Sequence, residues 1–121
     1  MSELLKEADR YRGPGTMYIS PRLVCERLEM SVNGLAKRAG VGRNTPRVRP
    51  GCEKLQRYLR QVVAVLVVAE QISDDYEAVG FWYMNSPLVE LDYWSADKMV
   101  TQGRADALLA YLAMLSAGST G

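Results

Sequence analysis

The chain contains no histidine, and that absence removes the commonest general base together with every Ser-His or Cys-His nucleophile arrangement. Only two cysteines occur, Cys25 and Cys52; they are far apart in sequence, and with no histidine beside them they cannot complete a zinc set. A reduced protein without metal or cofactor is expected. Long apolar runs are missing too: the most apolar stretch, residues 61–69, is far shorter than the roughly 20 residues a membrane span needs. No basic-then-apolar leader opens the chain, so a cytoplasmic protein that does not enter the membrane is expected. No phosphate-cradling glycine loop and no compact carboxylate pair is present, and the expectation is a binding protein, not an enzyme.

What is present is a hidden charge division. The net charge of the 121 residues is only +1. Between positions 37 and 60, however, Lys37, Arg38, Arg43, Arg47, Arg49, Lys54, Arg57 and Arg60 face Glu53 alone, a balance of +7. Between 70 and 97, Glu70, Asp74, Asp75, Glu77, Glu90, Asp92 and Asp97 have no Lys or Arg among them, a balance of −7. A basic block suits a polyanion such as nucleic acid, where phosphate neutralisation releases counterions; an acidic block suits a basic protein surface. Both blocks are equally what solvated helix faces look like.

Apolar residues recur at three- and four-residue spacing and nothing alternates, so an all-α fold is predicted. Residues 1–19 read as an N-terminal arm and linker, with Leu4, Leu5 and Ala8 on one side of a short peripheral helix that stops at Gly13-Pro14-Gly15. Residues 20–73 read as a helix-turn-helix region with a long central helix. Ser20-Pro21 and Ser31 begin its first two helices, and Gly40 ends the second. The two prolines at 46 and 50 leave room only for a short recognition segment. There Asn44 or Thr45 caps the helix, and Arg43, Arg47, Arg49 and Lys54 are the candidate DNA-contacting cations. Residues 52–72 form the core helix on the stripe Leu55, Tyr58, Leu59, Val62, Val63, Leu66 and Ala69. In residues 74–121, Asn85 is expected in the left-handed helix-ending conformation, Ser86-Pro87 starts a helix, Ser95 caps the next, and Gly103 ends it. A last helix over 104–116 precedes a flexible tail.

One segment carries a family likeness. Phe81-Trp82-Tyr83-Met84-Asn85-Ser86-Pro87-Leu88-Val89-Glu90-Leu91, then the short stretch 96–100 and Gly103, resembles the toxin-binding domain of Xre/MbcA/ParS-type antitoxins. The likeness runs over about residues 70–118 and is weaker upstream. It implies a type II antitoxin partnered with a RES-domain toxin that consumes NAD+ or transfers ADP-ribose. In such relatives the C-terminal part covers the toxin's active site and the complex can repress its own operon; because helix-turn-helix proteins commonly pair to match operator half-sites, a homodimer or a larger complex with the toxin is expected. The residues this marks for toxin binding are Trp82, Asn85, Pro87, Leu88, Leu91, Asp92 and Gly103, with the terminal Ser116, Gly118, Ser119, Thr120 and Gly121 available to enter a cleft. Trp82, Leu88 and Leu91 suit internal packing as well as contact, and Asn85, Pro87 and Gly103 suit caps and turns. A stand-alone DNA-binding regulator is the competing expectation.

Overall fold

The computed structural model describes residues 8–119, and among them the protein is all-α: seven α-helices, two 3-10 turns and two isolated antiparallel bridges. The chain divides into two compact units, Met1–Ala64 and Val65–Gly121, and the division falls inside the longest helix. Residues 1–7, with the expected arm positions Leu4 and Leu5, and the terminal Thr120 and Gly121 lie outside the described residues.

The first unit is built on capped amphipathic helices. Helix α1, Pro21–Leu28, starts where the Ser20 hydroxyl accepts the Leu23 amide at 3.2 Å, with proline at its first position. Helix α2, Val32–Ala39, starts on Ser31 in the same way and ends at Gly40. Each cap contributes about 1 kcal/mol by satisfying an otherwise orphaned N–H. α1 packs on α2 and α2 on the one-turn helix α3, Thr45–Val48. Val24, Cys25, Leu28, Leu35, Ala36 and Ala39 face the interior with Leu55, Tyr58 and Leu59 of α4, Glu53–Ile72. Every residue of the predicted α4 stripe is buried, and Val65 and Val67 join it, so the helix is apolar nearly all round toward its C-terminal end.

In the segment before α1, the glycines at 13 and 15, readable as a turn or a linker, form a turn. Asp9–Tyr11 is a 3-10 turn, and Tyr11 is buried with its hydroxyl accepting from Arg27 Nε. Pro14 and Gly15 occupy the corners of a turn closed by Thr16 N–H to Gly13 O, and Arg12 pairs with Ile19 across it. Local hydrogen bonding therefore makes a small hairpin of residues 12–19.

In the second unit, α5 (Tyr76–Asn85), α6 (Ala96–Thr101) and α7 (Ala105–Ser119) pack in sequence, α5 on α6 and α6 on α7. Asp75 caps α5 and Ser95 caps α6 through their side-chain oxygens. Gly103, at φ +77, supplies the left-handed turn that ends α6, as expected.

Three expectations for this unit are corrected. Asn85 is helical, not left-handed; its amide donates to Phe81 O and satisfies a last-turn carbonyl. No helix starts at Ser86-Pro87. Ser86 is extended, the conformation that a following proline imposes, and Leu88 pairs with Trp94 around a 3-10 turn, Val89–Leu91. Finally, the tail expected from residue 117 is helical to Ser119, so Ser116 and Gly118 lie on α7; Ala117 is a strong helix former, and no proline in the segment stops the helix there.

Candidate functional site

Two surfaces stand out, one in each unit. In the first unit, α3 and its flanks hold Arg43, Asn44, Thr45, Arg47 and Arg49 on consecutive turns. Asn44 occupies the cap position of α3 without capping it, since its carboxamide oxygen accepts from Arg47 Nη2 at 3.3 Å instead. Thr45 makes no cap either, its backbone N–H going to Gly42 O. Arg43 and Arg49 are exposed with no carboxylate partner among the described residues. Lys54 is exposed with its ammonium beside Gly40, at the C-terminal end of α2, where the helix dipole favours a cation. Arg57 and Arg60 share Glu53 at 3.9 and 2.8 Å; such exposed pairs hold side chains loosely and are worth under about 1 kcal/mol. The basic block thus presents Arg43, Arg47 and Arg49 to solvent around a single helical turn with Val48 exposed between the last two.

In the second unit the surface is acidic and apolar together. On α5, Val79, Gly80 and Tyr83 turn inward, while Phe81 is 69% exposed and Trp82 half-buried, so the aromatic triplet splits three ways. Glu77, Phe81 and Asn85 share one helix face at four-residue spacing. The loop 88–94 is held at its base by Leu88, which is buried, and by Trp94, whose ring lies under the Lys98 ammonium at 4.6 Å and near the Arg104 guanidinium at 5.9 Å. Asp92 and Tyr93 at its tip both adopt left-handed backbone, φ 57 and 64. For a tyrosine that conformation costs roughly 1–2 kcal/mol, and the ring it displays is 67% exposed. Leu91 is half-buried and Pro87 exposed.

The loop is joined to α7 through Tyr111, whose hydroxyl donates to Glu90 at 3.1 Å. Partial burial, then the hydrogen bond and charge of Glu90, raise the Tyr111 pKa above its ordinary value. One turn further along α7, Met114 is 72% exposed and Leu115 is exposed as well. Ala107, Ala110, Ala113, Ser116, Ala117 and Gly118 are also in solvent, and no charged residue follows Asp106 on this helix.

The residues marked for partner binding therefore separate. Leu88 is core and Gly103 a turn, whereas Asn85, Pro87, Asp92, Ser116 and Gly118 reach solvent. Sequence reasoning missed Val89, Tyr93, Met114 and Leu115 as exposed apolar groups; the readable signal for the last two was a helix with no polar face. Among the described residues no group of His, Cys, Asp or Glu is arranged to hold a metal, and no helix is long and apolar enough to cross a membrane. Comparison of the chain with protein families, curated proteins and solved structures finds no match.

Proposed function

We propose that this chain is the antitoxin of a type II toxin-antitoxin system, binding a RES-domain toxin and covering its active site through the surface made by α5, the loop 88–94 and α7. The supporting observation is an outer face that carries large apolar groups where water-facing polar ones belong: Phe81, Val89, Tyr93, Met114 and Leu115 are exposed on the unit whose sequence resembles the antitoxin toxin-binding domain. Aromatic and methionine anchors are typical of interface cores. The acidic residues Glu77, Glu90 and Asp92 around them complement a toxin pocket that receives the phosphates of NAD+. The chain itself needs no catalytic group in this role. Operator binding by the basic unit, which would let the complex repress its own operon, completes the reading.

Co-expression with the protein of the adjacent reading frame tests the proposal. Growth rescued by the wild-type chain, and lost when Phe81→Ser and Met114→Glu are combined, is the expected outcome. A toxin unaffected by the wild-type chain overturns it. The competing reading, a stand-alone DNA-binding regulator, is favoured by the solvent-facing Arg43, Arg47 and Arg49. It expects the double variant to keep full regulatory activity in a host without the toxin gene, and to have no toxin to neutralise.

A further inference from the structure

Helix α3 has four residues, a length of roughly 6 Å at 1.5 Å per residue, while a major groove is about 12 Å wide. One turn of helix cannot fill that groove. A second element, however, is fixed beside it. The Gln56 side chain, buried on α4, accepts the Ile19 N–H at 3.0 Å and donates through one nitrogen to both Ile19 O at 2.9 Å and Pro50 O at 2.8 Å. One amide thus ties the end of the 12–19 hairpin to the turn that follows α3. Gly51 lies in that turn. A β-carbon there would sit 2.7 Å from two ring carbons of Tyr18, closer than real atoms approach, so only glycine lets the ring lie flat against the turn. Tyr18 is nevertheless half exposed, and Met17 beside it is 84% exposed.

The hairpin therefore sets the Tyr18 ring against the turn that directly follows the exposed Arg47, Val48 and Arg49, with exposed Met17 next to it in the chain. Cations interleaved with exposed apolar and aromatic groups suit a nucleic acid, whose phosphates take the guanidinium groups while sugars and base edges take the rest. We propose that the 12–19 hairpin is part of a duplex-DNA-binding face, with Tyr18 and Met17 contacting the sugar-phosphate wall beside the groove that α3 addresses. This rests on the reading of the basic block as DNA-binding. The hairpin supplies contact area that α3 is too short to provide, and the Gln56 clamp holds it ready before DNA arrives, so little ordering cost falls on binding.

The test is anisotropy titration of a labelled mixed-sequence duplex with the full chain, repeated over a range of salt. Tyr18→Ala is expected to weaken binding roughly five- to tenfold with the salt slope unchanged, because the ring carries no charge. Met17→Glu, at a position too exposed to disturb folding, is expected to weaken binding and flatten the slope by about one unit. Gly51→Ala, which displaces the ring, should resemble Tyr18→Ala and add little to it. If the Met17 and Tyr18 variants bind within about twofold of wild type while Arg49→Ala lowers both affinity and slope, the hairpin is not at the interface and the basic block still is. If the wild-type chain binds no duplex, both statements fall. Salt-sensitive self-association that Met17→Glu abolishes, without DNA binding, would show that an acidic second copy occupies this face and would overturn the proposal.

Discussion

The helices of the two units are finished differently. In α1, Val24, Cys25 and Leu28 go inward, and Arg22 meets Glu26 at 2.7 Å on the outside; in α2, Leu35, Ala36 and Ala39 go inward while Asn33 and Lys37 face water. Each has a side made for solvent. Helix α7 buries Ala105, Leu108 and Leu112 yet exposes alanines, Met114 and Leu115 on its other sides, and α5 exposes Tyr76 and Phe81. A helix that is apolar all round belongs in an interior. The contrast teaches that α1 and α2 carry outer faces made for water, whereas α5 and α7 present faces suited to being covered by another protein. The left-handed Tyr93 points the same way, since strain of that kind persists where display of the side chain matters more than stability.

The largest effect that breaks or sharpens this contrast lies within α7 itself. Leu108→Ala, on the buried side, is expected to cost about 2–5 kcal/mol in denaturant unfolding, and Met114→Ala, less than two turns away on the outer side, less than about 0.5 kcal/mol. Comparable losses at both positions would mean that the outer face is already packed. A smaller effect separates stability from binding at Tyr93. Asparagine tolerates left-handed backbone better than tyrosine, so Tyr93→Asn is expected to stabilise the chain by up to about 1 kcal/mol while weakening binding to the proposed toxin partner. Destabilisation on that substitution would mean that the ring packs against its own unit.

The smallest effect is a pH dependence. The folded-state pKa of Tyr111 is raised by burial and by Glu90, so its contribution is fully present below the unfolded value near 10 and is lost as pH rises through the folded one. The thermal midpoint of the wild type is expected to exceed that of Tyr111→Phe at pH 8, with the gap closing above about pH 10. A gap that survives there removes the Glu90 hydrogen bond as its source.

Much of the fold was readable because its signals are local. Ser20, Ser31 and Ser95 each accept the backbone N–H three residues on, and the 3.6-residue stripe of α4 is buried throughout. The loop 88–94 was not readable. Ser86-Pro87-Leu88 has the local chemistry of a helix start, and what overrides it is the Leu88 to Trp94 pairing closed by left-handed Asp92 and Tyr93, the second of a type that rarely adopts that backbone. The run Phe81-Trp82-Tyr83 was readable as a cluster, but its split into an exposed, a half-buried and a buried ring was not. The arginines of the basic face were legible from charge alone. Tyr18 was not, because its place depends on Gln56 bonding Ile19, 37 positions earlier in the chain.

The central proposal, that the outer apolar face of the second unit binds a toxin, is tested most directly by the dissociation constant for the RES-domain protein proposed as its partner. Wild type, Phe81→Ser, Met114→Glu and Arg47→Ala are compared in the full chain, with thermal melts confirming that each is folded. The account expects each of the two C-terminal changes to weaken binding on the order of 30-fold or more, the size of an interface anchor, and Arg47→Ala to leave it unchanged. Toxin binding that survives both C-terminal changes and falls with Arg47→Ala would contradict it.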